Sequence, residues 1–209
     1  MFGTQHLSLF IVSGLLLNLT PGQDTLYIVG RTVAQGRRAG LASVLGISSG
    51  AVLHTIAAAF GLSAILAASA AAFTIVKLAG AAYLIYLGVR LWLERAAPQD
   101  IPDLTGSRDD AWAIYRAGLV TNVLNPKVAL FFLAFLPQFV APDAPSRVLA
   151  FLTLGGIFVF NGTLWCLTLV WCASAMSRRL RGSASWGTVL RRATGAIFVG
   201  LGVRLAVSK

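Results

Sequence analysis

Two ionisable residues stand inside long apolar stretches of this chain, each just after a proline. Asp24 follows Thr20-Pro21-Gly22, and Lys127 follows Asn125-Pro126. Inside a membrane-length segment an ionisable side chain is costly, which makes it a functional candidate by default. An oxygen-bearing residue followed by proline has the pattern of a helix start, with an N-cap and then proline at the first helical position. Helix starts carry unpaired N–H groups and a partial positive charge, and so favour an anion such as a carboxylate. A carboxylate in the first turn of a helix is favoured by the same dipole, which gives Asp24 an ordinary structural explanation. Lys127 has none, because a cation is disfavoured at that end. Thr20, Pro21, Gly22, Asp24, Asn122, Asn125, Pro126 and Lys127 are therefore the candidate binding residues. Two helix starts and Lys127 would meet a carboxylate, while Asp24 would face an ammonium or take up a proton. Gly22 lets a ligand approach the backbone closely.

Other polar residues in the apolar stretches are secondary candidates. His54 joins Asp24 as a proton-coupling candidate, since histidine is the side chain that ordinarily titrates near physiological pH; a packing histidine is as good a reading. Asn18, Gln23, Lys77 and Asn161 are pathway candidates. Lys77 also suits a snorkelling side chain near the end of its segment. The asparagines also suit bonds between helices. Cys166 and Cys172 are six residues apart in one segment, hence ~9 Å apart along a helix, too far to pair with each other. They read as packing residues.

The elements that position these groups come in two copies. Gly14, Asn18 and Thr20-Pro21 return, with one extra residue, as Gly118, Asn122 and Asn125-Pro126. Ala79 to Leu87-Gly88-Val89-Arg90-Leu91 returns as Ala193 to Leu201-Gly202-Val203-Arg204-Leu205. The chain is 57% hydrophobic and 11% charged, with a mean hydropathy of +0.78, the composition of a membrane protein. A helix of ~20 apolar residues crosses the hydrocarbon core. Six segments reach that length: Leu7 to Val29, Leu41 to Ala67, Ala72 to Trp92, Trp112 to Pro137, Val148 to Ala175 and Thr188 to Val207. Three spans per copy invert the second copy in the bilayer, a design that puts broken helices and the binding site near the midplane. The expected fold is an all-α membrane protein of six transmembrane helices in a 3+3 inverted repeat, with spans one and four broken at Pro21 and Pro126.

A net charge of +10 does not point to nucleic acid, because the basic residues are dispersed among the spans instead of forming one surface. They sort by loop. Arg31, Arg37 and Arg38 follow span one, Arg90, Arg95, Arg108 and Arg116 bound the loop after span three, and Arg178, Arg179, Arg181, Arg191 and Arg192 follow span five. The positive-inside rule makes those loops cytoplasmic and places both termini on the other side. Trp92, Trp112 and Trp186 fall at the cytoplasmic ends of spans, as an aromatic belt does. Residues 1 to 6 lack the basic region of a signal peptide, so the first apolar run is expected to stay as a span. One transporter domain is expected over residues 1–209, with repeat one at about 1–93, a cytoplasmic linker at about 94–111 and repeat two at about 112–209. The linker holds five of the seven acidic residues.

Small residues indicate close packing: Gly46 and Gly50 are one helical turn apart in span two, and Gly155-Gly156 lies in span five. Phe131, Phe132, Phe135, Phe158 and Phe160 are expected among the walls of any cavity, with helix rotation deciding which face it.

The ordered phrases Leu19-Thr20-Pro21-Gly22-Gln23-Asp24, Gln35-Gly36-Arg37-Arg38-Ala39-Gly40-Leu41, Leu45-Gly46-Ile47, Lys77 to Leu84 and Asn122-Val123-Leu124-Asn125-Pro126-Lys127 make the chain similar to the lysine-exporter (LysE) superfamily, within it the homoserine/threonine-efflux (RhtB) branch. The resemblance implies a bacterial inner-membrane exporter that moves amino acids or their derivatives out of the cytoplasm, driven by the proton gradient, with Pro21-Gly22 and Asn125-Pro126-Lys127 as signature positions. A homodimer is plausible on the same ground. Gln23 departs from the second proline of many relatives, and Ala51 from an acid early in span two, which leaves Asp24 or His54 for proton coupling. The expected partners are an amino acid, protons and the lipid bilayer, with no cofactor, no enzymatic activity and no nucleic acid. The alternatives of similar 3+3 architecture are a metal-ion exporter and a membrane thiol-redox protein. The first needs more His, Cys or carboxylate ligands, and the second needs paired thiols near the breaks.

Overall fold

A proline removes a backbone donor and forces the residue before it out of the helical region. In the computed structural model both pre-proline residues obey this: Thr20 has ψ 119° and Asn125 has ψ 107°. The structure describes residues 3–68, 110–141 and 143–176, with isolated positions at 74, 75, 78, 82, 85, 86 and 89. Lys77, nearly all of the 94–111 linker, and the expected sixth span with the second copy of the Leu-Gly-Val-Arg-Leu phrase lie outside the described residues.

Helix α1 runs Leu7–Leu19 and α2 runs Gln23–Gln35. Thr20 closes α1 with its backbone N–H donating to the carbonyls of Leu16 and Leu17. Its hydroxyl donates to Leu16 as well, at 2.7 Å, the back-bond typical of threonine in a helix. This corrects one expectation. Thr20 is not the N-cap of the following helix and Pro21 is not its first residue; Gly22 holds the N-cap position, with no side-chain cap. Helix α2 also extends past Val29, where the first span was expected to stop.

Helix α3, Arg37–Ala57, passes through a wide π turn at Ala58–Leu62 into α4, Ser63–Ala68. Its stretch Arg37–Ile65 is 29 residues long with mean hydropathy 1.6, enough to cross a bilayer. Helix α5, Ala111–Val123, is followed by α6, Pro126–Leu130, a π turn at Phe131–Phe135 and a 3-10 turn at Leu136–Phe139. The axis bends by 46° between α5 and the segment Pro126–Phe139. Helix α7, Arg147–Met176, contains a second membrane-length stretch, Arg147–Ala175, with mean hydropathy 1.7. Every regular element among the described residues is thus helical, apart from one isolated bridge, Thr4 to Val140. That bridge is flanked by backbone bonds Gln5 N–H to Phe139 O and Ala141 N–H to Gly3 O, both 2.8 Å, and ties the entry of α1 to the exit of the α6 segment.

Among the described residues a small apolar cluster joins Ala39 and Ala42 of α3 with Ile114 of α5, beside two more extensive ones. The larger joins Phe10 and Leu17 of α1, the phenylalanines 131, 132, 135 and 139, and Phe151, Leu154 and Phe158 of α7. Phe131 stacks on Phe158 with centroids 4.6 Å apart. The smaller joins Ile28 of α2, Val44 and Ile47 of α3, and Val170 of α7. Between α3 and α5 the backbones nearly touch. A Cβ on Gly46 would collide with the Tyr115 carbonyl, and one on Gly50 would lie 2.7 Å from the Asn122 side chain. Gly155 serves α7 in the same way against Thr55, whereas Gly156 has open space. Large apolar side chains point outward, with Leu124 72% and Phe160 64% exposed, a surface suited to lipid contact rather than water.

Candidate functional site

Where α1 stops and α2 begins, and where α5 stops and α6 begins, backbone groups lose their helical partners. The polar residues of both interruptions close these gaps. Asn125 caps α6, its Oδ1 accepting from the backbone N–H of Lys127 at 3.0 Å, as the sequence pattern predicts. The Lys127 ammonium reaches across to the other interruption and donates to the Thr20 carbonyl oxygen at 2.9 Å. In the opposite direction, Asn122 Nδ2 at the end of α5 donates to Asp24 Oδ2 in the first turn of α2, also at 2.9 Å. Each charged residue that follows an interruption therefore bonds the helix end that precedes the other one. A cation at a helix C-terminus is favoured by the dipole, which supplies the stabilisation that Lys127 lacks from its own helix.

These groups face one cavity of about 570 Å³, its open mouth included. Gly22, Asp24, Asn122, Asn125 and Lys127 line it, together with Asn18. A Cβ on Gly22 would lie 3.7 Å from Lys127 Nζ, so the absent side chain leaves the ammonium room. The carboxylate of Asp24 has Asn125, Asn122, Lys127 and His54 as its polar neighbours. Thr20 and Pro21 frame the interruption without lining the cavity, and Thr20 is buried at 1% exposure.

Some sequence candidates lie apart. His54 is on the far side of Asn122, its Nε2 3.2 Å from the Asn122 carbonyl oxygen and its ring stacked on Phe132. It borders a second, apolar groove with Ala58, Leu62, Ile65, Ala129 and Leu133. Gln23 is exposed. Asn161 is half-buried on α7 and is not among the cavity-lining residues. Of the five phenylalanines expected as walls, Phe158 lines the cavity, while Phe131, Phe132 and Phe135 are buried in the core and Phe160 points outward.

Helix α7 and α3 supply wall residues that the sequence reading passed over. Gly162, Trp165 and Cys166 follow Phe158 at helical spacing on α7 and line the cavity with it, so Cys166 is more than a packing residue. Ser48 of α3 and Thr163 of α7 share a hydrogen bond at 2.8 Å in the same wall. A single face of small and polar residues recurring every three to four positions along an apolar helix was the available signal.

The family model for the LysE type translocator matches residues 15–209. The chain belongs to this family. Over 200 residues it is 30% identical to an uncharacterized membrane protein of Vibrio cholerae, covering 96% of both chains. It is 29% identical over 206 residues to an uncharacterized membrane protein of Bacillus subtilis, covering 95% of this chain and 97% of that one. A homoserine/homoserine lactone efflux protein of Salmonella typhimurium is 28% identical over 200 residues, covering 96% of this chain and 95% of the relative. No solved structure matches. As a LysE type translocator with membrane-length apolar helices, the protein is a multi-pass membrane protein.

Proposed function

We propose that this LysE type translocator is a secondary active exporter of amino acids or amino-acid derivatives across the bacterial inner membrane, coupled to protons. Its site is the cavity at the two helix interruptions. The observation that carries this reading is the reciprocal pairing of Lys127 with Thr20 and of Asn122 with Asp24, which brings a cation, a carboxylate and the polar end of a helix from each interruption to one cavity. The homoserine/homoserine lactone efflux relative supports a small amino acid or its lactone as the cargo.

In this reading α1–α2 and α5–α6 are the half-helix pairs of spans one and four, broken at Pro21 and Pro126, within one domain of six spans arranged as a 3+3 inverted repeat. Repeat one covers about 1–93, repeat two about 112–209, and a cytoplasmic linker joins them. Both termini lie on the non-cytoplasmic side. Thr20, Pro21, Gly22, Asn122, Asn125, Pro126 and Lys127 shape the substrate site, and Asp24 meets the substrate ammonium or carries the coupling proton. Alternating access then follows if the substrate competes for the bonds that tie the two interruptions together: filling the site loosens the ties and permits the repeats to rock. The close approaches at Gly46 to the α5 backbone and at Gly50 and Gly155 to the Asn122 and Thr55 side chains suit helices that slide on one another.

The test is transport in proteoliposomes holding the purified protein. A panel of amino acids is loaded with and without a pH gradient of the outward-pumping sign. Accumulation of at least one amino acid, faster with the gradient, is the expected result; no gradient-stimulated movement of any of them rejects proton-coupled amino-acid export.

A further inference from the structure

The cavity wall contains four buried polar atoms without a hydrogen-bond partner among the described residues: Asn18 Nδ2, Trp165 Nε1, Asp24 Oδ1 and Asn122 Oδ1. All four residues line the same cavity. A buried polar atom left unpaired costs on the order of 1–3 kcal/mol, so four in one place call for a partner that satisfies them together. They divide by sign. Asn18 and Trp165 offer N–H donors, and an indole N–H is never an acceptor. Asp24 and Asn122 offer oxygens.

Resting on the amino-acid reading above, the geometry points to Asn18 and Trp165 as the residues that recognise the substrate carboxylate, with Asp24 Oδ1 and Asn122 Oδ1 taking its ammonium. Lys127 does not fill the first role in this state, since its ammonium is engaged by the Thr20 carbonyl. Its charge draws the acid into the cavity, while the neutral donors on α1 and α7 fix the orientation. Neutral donors hold a carboxylate without a full ion pair, which suits a carrier that must also release its cargo. Gly162 provides the opening: a Cβ there would lie 3.3 Å from Asn18 Nδ2, in the space that the carboxylate would occupy. Donors from α1 and α7 acting on one group also join the first repeat to the second through the cargo itself.

The experiment measures transport by wild type and by Trp165→Phe, Asn18→Leu and Gly162→Ala in proteoliposomes. The probes are L-homoserine, L-threonine and L-leucine, and as binding competitors the matched amines lacking the carboxylate, 3-aminopropan-1-ol, 1-aminopropan-2-ol and 3-methylbutan-1-amine. Trp165→Phe keeps an aromatic six-membered ring but removes the N–H together with the five-membered ring that carries it, and competition by the amine reports the effect of that lost volume. The substitution is expected to raise the half-saturating concentration of a transported acid about tenfold, the effect of losing one charge-assisted bond, with maximal rate and competition by the matched amine unchanged. Asn18→Leu and Gly162→Ala should act in the same direction. Wild-type affinity for the acid in Trp165→Phe and Asn18→Leu overturns the assignment while leaving amino-acid export standing. Equal loss of acid and amine binding in both variants overturns it too, because that pattern marks a general packing role. A wild-type protein that moves none of the acids overturns the export reading and this inference with it.

Discussion

The Lys127 ammonium lies 2.9 Å from the Thr20 carbonyl oxygen, so the cation that follows one proline closes the helix that precedes the other. This bond converts a residue unfavourably placed on its own helix into a stabilising one for a distant segment. Asp24 repeats the relationship in reverse through Asn122. Removing Lys127 takes a partner from the carbonyl end of α1, and removing Asp24 takes one from the Asn122 side-chain amide.

Export is therefore expected to fail in Asp24→Asn and in Lys127→Ala, by more than tenfold, while both proteins still reach the membrane. Substrate efflux from cells carrying each variant, alongside quantification of the protein in isolated membranes, checks this. Normal efflux in both single variants would reject the site.

The Asn125 cap gives a stability prediction. Its Oδ1 satisfies the backbone N–H of Lys127, and replacing such a cap with alanine costs about 1 kcal/mol. Asn125→Ala should melt at a lower temperature in detergent than wild type, and Asn125→Ser should recover most of the difference.

Gly46→Val should be worse than any cap loss. Its side chain would enter the Tyr115 backbone where α3 crosses α5, and overpacking of this kind typically costs 1–3 kcal/mol or more. Gly156→Ala, with open space at the added carbon, is the matched control. Melting temperatures of the two variants should separate clearly, and coincident values would refute the close crossing.

The proposed proton coupling offers a choice between two residues. Asp24 lines the cavity, whereas His54 is bonded to the outer side of Asn122. His54→Gln should therefore keep gradient-stimulated export, and Asp24→Asn should lose it. Loss of the gradient response in His54→Gln, with gradient-free exchange intact, would assign the proton to the histidine instead.

Motion across the cavity can be arrested. The Ser48 and Thr163 hydroxyls are 2.8 Å apart on α3 and α7, close enough for cysteines at these positions to approach disulfide geometry. With Cys166 and Cys172 replaced by serine, Ser48→Cys/Thr163→Cys should cross-link on oxidation. Transport should stop and then return with reductant. Full transport by the cross-linked protein would show that α3 and α7 do not separate in the cycle.

Local chemistry carried much of this in the sequence itself. Proline excludes the preceding residue from the helical region whatever surrounds it, so the interruptions before Pro21 and Pro126 were legible from single residues. Long apolar runs announce membrane-length helices for the same reason, since the bilayer rewards hydrophobicity without regard to partner. Asn125 announced its cap, because that bond reaches only two residues along the chain. Thr20 did not follow the rule, as its hydroxyl turned back to Leu16 and left Gly22 to start α2.

The tertiary structure decided everything that depends on helix rotation and crossing. A period of 3.6 residues gives a helix faces without saying which face meets which neighbour. Phe158 and Phe160 therefore looked alike in sequence, and one lines the cavity while the other is exposed. Lys127 and Thr20 are 107 residues apart in the chain, and only the crossing of the two interrupted helices makes them partners. Trp165 and Asn18 became candidates for recognition once packing had buried their N–H groups beside the same empty space, a condition no local pattern encodes.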